Sequence, residues 1–329
     1  MTTREHINEY FNGRPFMVLC AIALVVATSL ALSMGVQPVA GDSTGFFFSL
    51  KGPLIEQGPL SATINVLCLL ATGGIMLALN KVFSYVRAVT HLFVSAFFLL
   101  QLANPAGLVS LNVGTLLSLV GAVAVLPLFS SYQDRHSQRN IFLVFAVVAL
   151  GSMFHYGFLM LLPAFLLGFL NMGVFNLKGL LAMLFGLVTP FWIALGLGIV
   201  SPVSFTIPHL NGIWTLTSLS WTNLLLLLAA VTALLGIVLA VMNLVTIMNY
   251  RMQTRVYNAF FVFVLVMAVI AMCIDTSNVA VYLPLLGLMT AVQIAHFHTL
   301  CNTFHYRYIF ILLFIAGCIG LFAANVLMP

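Results

Sequence analysis

The sequence predicts an all-α, polytopic integral membrane protein, and three observations predict it. Only 5% of the 329 residues are charged and 63% are hydrophobic, with a mean hydropathy of +1.18. A soluble domain carries about 25% charged residues, so a surface built from this composition is solvated mainly by lipid. Apolar runs recur along the chain at the length that crosses the hydrocarbon core, about 20 residues in a helix. The 11 lysines and arginines fall singly or in pairs between those runs. That is the pattern of topology signals and not of a nucleic-acid surface, despite the net charge of +5.

In chain order, residues 1–14 are polar and mixed in charge, a cytoplasmic N-terminal segment. Ile7, Tyr10 and Phe11 have helical spacing, which suits a short interfacial helix or a juxtamembrane anchor. Residues 15–329 read as a single transmembrane domain. The first run, 15–37, is long enough to span and is expected to be a retained helix and not a cleaved leader. Residues 38–59 break the pattern with Asp42, Lys51, Glu56 and two Gly-Pro pairs, Gly52-Pro53 and Gly58-Pro59, and are expected to form a loop. Further spans are expected at 60–80, 88–104, 111–130, 140–156, 158–173, 178–200, 222–248, 257–274, 279–297 and 308–327, about eleven in all. The stretch 140–173 is broken near His155-Tyr156-Gly157 and fits two short spans or one span with a re-entrant partner.

Orientation follows from the basic residues. With the N-terminus in the cytoplasm, ten of the 11 lysines and arginines lie inside and only Lys51 lies outside. A single crossing over 140–173 would move the downstream basic residues outside, so two crossings are favoured. An odd number of spans puts the C-terminus in the periplasm. The main outer loops are then 38–59 and the uncharged segment 201–221, whose Phe205, Trp214 and Trp221 suit the headgroup level. No internal repeat is evident.

Candidate chemistry is sparse. Asp42, Glu56 and Asp275 are the acids on the outer side, suited to general-base, metal-binding or proton-carrying roles; otherwise they are solvated loop acids or a polar helix stop. His155 and His209 lie on the outer side, and His296, His298 and His305 near the inner end of the tenth span; they read as interface histidines bonded locally. His91 is the main ionisable candidate inside a span. Cys20, Cys68, Cys273, Cys301 and Cys318 lack ligand spacing and read as small packing residues. There is no Walker loop, no GxGxxG opening a helix, no GxSxG and no HExxH. ATP-driven transport by this chain alone is therefore not expected, and the sequence specifies neither a cofactor nor a metal.

The stretch from Asn140 to Gly196 resembles a family of polytopic inner-membrane proteins from Bacteroidetes that has no assigned activity. It shares the two short spans around an aromatic break, the inner turn Phe175-Asn176-Leu177-Lys178 and the helix motif Gly186-Leu187-Val188-Thr189-Pro190-Phe191. The wider layout is similar to multi-span glycosyltransferases that use polyprenyl-phosphate sugars, and to polysaccharide polymerases. That resemblance implies Asp42 as base or metal partner, with Glu56 second, and on this reading Lys51 stands near the lipid phosphate; His155, His209 and Asp275 are taken from their outer position as candidate substrate contacts. Such enzymes hold the phosphate with outer arginines, whereas Lys51 is the one outer cation here. Three functions are therefore expected to compete: a glycosyltransferase-like enzyme of the cell envelope acting on a polyprenyl-linked glycan, a non-enzymatic subunit of an envelope complex, and a proton- or cation-coupled transporter through Asp275 or an outer histidine. All three place the chain in the bacterial inner membrane, in contact with lipid and with other envelope proteins, and none involves nucleic acid.

Overall fold

A computed structural model of the protein describes residues 10–38, 42–51, 58–86, 90–207, 210–213, 224–248, 250–300 and 304–327. It is an all-α, polytopic membrane protein. The helices are α1 (Arg14–Ser33), α2 (Pro59–Phe83), α3 (Leu92–Leu102), the single turn α4 (Pro105–Leu108), α5 (Val113–Ser130), α6 (Gln138–Phe154), α7 (Leu161–Asn171), α8 (Leu177–Gly196), α9 (Leu224–Ile247), α10 (Met252–Ile274), α11 (Val279–Leu300) and α12 (Phe304–Leu327). A helix occupies each expected apolar run. Eight helices among the described residues are long and apolar enough to cross a bilayer; Leu92–Leu102, Gln138–Phe154 and Tyr156–Asn171 are shorter. One departure is the 38–59 segment. It contains a two-stranded antiparallel hairpin, β1 (Asp42–Thr44) and β2 (Ser49–Lys51), rather than loop alone.

Contacts between helix ends sort the molecule into two poles. At one, His91 N donates to Asn12 O (3.1 Å), Gln133 N to Met172 O (3.2 Å), Tyr257 Oη to Phe129 O (3.3 Å) and Asn176 Nδ2 to Arg135 O (3.3 Å). Arg14, Lys81, Arg139, Lys178, Arg251, Arg255 and Arg307 sit at helix ends at this basic pole, and Arg135 lies in the turn between α5 and α6. The Gln133–Met172 bond also shows that α6 leaves this pole and α7 returns to it. The stretch 138–171 is thus an up-and-down pair, broken at His155, whose extended backbone (φ −153°, ψ 127°) ends α6.

The centre is α11, which packs against α3, α5, α9 and α10. Nearly all of it is buried, whereas α12 turns most of its surface to lipid. Close approach is set by small residues, as in other membrane helix pairs. A Cβ on Gly114 of α5 would fall 2.6 Å from Val281 O, and one on Gly236 of α9 would fall 2.5 Å from Thr290 Oγ1. Every residue of α3 is buried, and its irregular continuation is satisfied by protein: Asn65 Nδ2 donates to Gly107 O (3.0 Å) and Leu108 O (3.3 Å). Broken backbone at membrane depth survives only where the protein itself supplies such partners.

Candidate functional site

At the pole opposite the basic one, α10 ends at Asp275 and a 3-10 turn, Thr276–Asn278, leads into α11. Asp275 is 1% exposed. Its Oδ2 accepts hydrogen bonds from Tyr156 Oη, from Asn278 Nδ2 (3.0 Å) and from Tyr282 Oη (3.3 Å). Asn278 Nδ2 also donates to Tyr156 Oη at 2.7 Å. The donors come from three places: the turn after α6, the 3-10 turn and the first turn of α11. All are neutral. Asp275 Oδ1 is buried and accepts no hydrogen bond among the described residues, and Asn278 Oδ1 is in the same condition.

His155 is fully buried beside this cluster. Its ring stacks on Tyr156 with centroids 4.8 Å apart, and its Nδ1 accepts from Gly157 N at 2.9 Å. The accepted bond at Nδ1 favours the tautomer protonated on Nε2.

The hairpin seats on the same break. Phe46 N donates to Ser152 O (3.2 Å), and Phe47 N and Phe48 N to Met153 O (3.4 and 3.1 Å). These carbonyls belong to the last turn of α6, where Gly151 O is taken up by His155 N but the carbonyls that follow have no donor further along the helix, so the hairpin caps that helix from a distant part of the chain. Residue 45 must be glycine here, because a Cβ would lie 2.2 Å from Met153 O. Thr206 then ties the 201–213 segment to the hairpin, donating from N to Phe46 O (2.9 Å) and from Oγ1 to Gly45 O (2.8 Å). Asn211 O in turn accepts from both Thr276 N and Thr276 Oγ1, each at 2.8 Å. Three separate segments at this pole, the hairpin, the stretch around Thr206 and Asn211, and the turn after Asp275, are thereby linked.

A second polar group lies deeper. Gln293 of α11 bridges α9 and α10: its Nε2 donates to Asn258 Oδ1 (3.0 Å), and Asn243 Nδ2 donates to its O (2.9 Å) and Oε1 (3.0 Å). Tyr282, Thr290, Gln293 and His296 lie within about 60° of one line along α11. Between Tyr282 and Thr290 the line is apolar for about 12 Å; Gln101 of α3 approaches Gly287 at that height, 3.1 Å from where a Cβ would stand, but about 120° around the helix from the line. Buried polar groups thus cluster towards the two ends of the central helix, Asp275 to Tyr282 and Thr290 to His296, with an apolar stretch between them.

The sequence-predicted residues fare unequally. Asp42 and Lys51 are cross-strand partners in the hairpin register. With His155 and Asp275 they belong to one pole, brought together by the capping of α6. Glu56 and His209 lie outside the described residues, as do Trp214, Trp221 and Cys301. Asp275 does end α10 as a polar helix stop, but it is buried and not a solvated loop acid, because Tyr156, Asn278 and Tyr282 close over it. His296 and His298 are likewise buried and not interfacial, since protein surrounds α11. His91 precedes α3 instead of lying within a span, its Nδ1 3.1 Å from Asn12 O. Asp134 does form an exposed turn, accepting from His136 N at 2.9 Å. Reading the sequence for charged groups alone misses Tyr156, Asn278, Tyr282, Asn243, Asn258 and Gln293; the available signal was an amide or phenol set within an apolar run. Among the described residues no three His, Cys, Asp or Glu side chains are grouped to hold a metal. Comparison with protein-family models, curated proteins and solved structures finds no match to this chain.

Proposed function

We propose that this multi-pass membrane protein is a secondary transporter in which Asp275 carries the coupling ion. The observation that supports the reading is a carboxyl group sealed among neutral partners, with one oxygen bonded three times and the other not at all. A buried charge of this kind costs several kcal/mol unless it is compensated. Its retention is understandable where charge is gained and lost during a cycle. The two buried polar clusters towards the ends of α11 support the same reading, since they give an ion or proton partners at both ends of a buried helix. By the positive-inside rule the basic pole faces the cytoplasm and Asp275 the periplasmic side of a bacterial inner membrane. That setting agrees with the resemblance to the Bacteroidetes family.

The test is charge movement in proteoliposomes. Wild-type protein is exposed to a panel of sugars, amino acids, carboxylates and organic phosphates under an imposed proton or sodium gradient. Transient currents are expected for at least one solute and are expected to vanish in folded Asp275→Asn protein. Currents that survive the substitution, or a panel that yields none, count against the reading.

The glycosyltransferase-like reading keeps one specific support: Asp42 stands opposite Lys51 on a hairpin that caps the helix ending at His155. It requires that Asp42→Asn abolish transfer from a polyprenyl-phosphate sugar while the protein remains folded. Transfer by that variant at the wild-type rate removes the reading.

A further inference from the structure

We propose that the ion bound at Asp275 is a small monovalent metal cation, of the size and hardness of sodium, held between the carboxylate and the Asn278 carbonyl. This rests on the coupled-transport reading for its purpose but not for its measurement. Asp275 and Asn278 are joined by the 3.0 Å bond from Asn278 Nδ2 to Asp275 Oδ2, so their two side chains form one cluster. Each keeps a buried oxygen with no donor, Asp275 Oδ1 and Asn278 Oδ1, although the residues are only 1% and 4% exposed.

A proton and a cation relieve this differently. Protonating Oδ1 neutralises the carboxyl group, but it leaves the new O–H without an acceptor among the described residues and Asn278 Oδ1 still without a donor. A metal cation accepts electron pairs from both oxygens and balances the charge in one step. One buried carboxylate compensates one positive charge; a divalent ion would leave an uncompensated buried charge. Carboxylate and amide oxygens are hard ligands, suited to alkali and alkaline-earth cations over softer transition metals. Thr276 and Ser277, tied to Asn211 by bonds of 2.8 and 3.1 Å, cover the cluster from the outer side.

The experiment uses the full-length protein in lipid nanodiscs. Melting temperature is followed as choline chloride is replaced by sodium chloride or potassium chloride at constant ionic strength and pH, and bound radioactive sodium is counted after rapid filtration. A saturable rise of several degrees in sodium, flat in choline, with a single sodium retained per chain, is the expected result; both are lost in Asp275→Asn. Asn278→Leu, which removes the amide oxygen together with the Nδ2 donor to Asp275 and Tyr156, is expected to weaken sodium binding at least tenfold. Should either variant fail to fold, the wild-type contrast between sodium and choline decides alone. A melting temperature that follows pH but not sodium, with no sodium retained, overturns the proposal in favour of a proton. Sodium binding without any solute-driven current would leave this inference standing and defeat the transport reading; current without sodium binding would do the reverse.

Discussion

Asp275 was visible in the sequence as one of three acids on the outer side, but its chemistry is set by residues that looked ordinary. Asn278 reaches it one turn later, Tyr282 two turns later, and Tyr156 from a helix break 119 residues away in the chain. The first two are legible once the turn into α11 is known; the third is not, because nothing in a linear sequence states which break meets which turn. Gln293 shows the same at greater depth. Its replacement by Leu strips Asn258 Oδ1 of its donor in a side chain whose Nδ2 is already unpartnered, although Asn243 keeps its bond to the main-chain carbonyl. We expect Gln293→Leu to destabilise the fold by about 1–2 kcal/mol, read as a lower melting temperature in detergent. An unchanged melting temperature would mean that the amide bridge between α9, α10 and α11 contributes nothing net.

The hairpin is the element that sequence patterning described least well. Asp42–Thr44 and Ser49–Lys51 are too short for any alternation of polar and apolar residues to mark them, and the Gly-Pro pairs beside them argue only against helix. The segment takes strand form because the end of α6 offers carbonyls that need donors and Phe46, Phe47 and Phe48 supply their amides. Their side chains add an aromatic cluster: Phe48 stacks on Phe154 at 4.9 Å and Phe46 on Phe205 at 5.4 Å. Gly45→Val is expected to lift the hairpin off α6, since the new side chain meets main-chain oxygen and not a flexible neighbour. Hydrogen exchange at the amides of residues 46–48 would then rise by at least tenfold while the α11 amides stay protected. Unchanged exchange at 46–48 would show that the cap adapts to a side chain at residue 45.

Taken whole, the molecule is a set of helices that run alternately between a basic pole and the pole of Asp275, and this alternation can be tested directly. On a cysteine-free background, the exposed residues His136 and Ser204 are converted singly to cysteine. In intact spheroplasts an impermeant maleimide is expected to label Ser204→Cys at once and His136→Cys only after the membrane is opened. The opposite pattern would invert the assignment of poles, and labelling of both from one side would break the alternation of helices between them.

The membrane class, the position of each apolar helix and the break at His155 were determined by the sequence alone, because lipid imposes them locally. A helix must satisfy its own backbone in hydrocarbon, and a run of about 20 apolar residues meets that condition without reference to the rest of the chain. Burial inside the bundle was decided only by tertiary structure. Lipid and packed protein are both apolar, so hydropathy does not distinguish a helix facing one from a helix enclosed by the other. For that reason the enclosure of α3 and α11, the sealing of Asp275 under Tyr156 and Tyr282, and the seating of the hairpin on α6 emerge only when the helices are assembled.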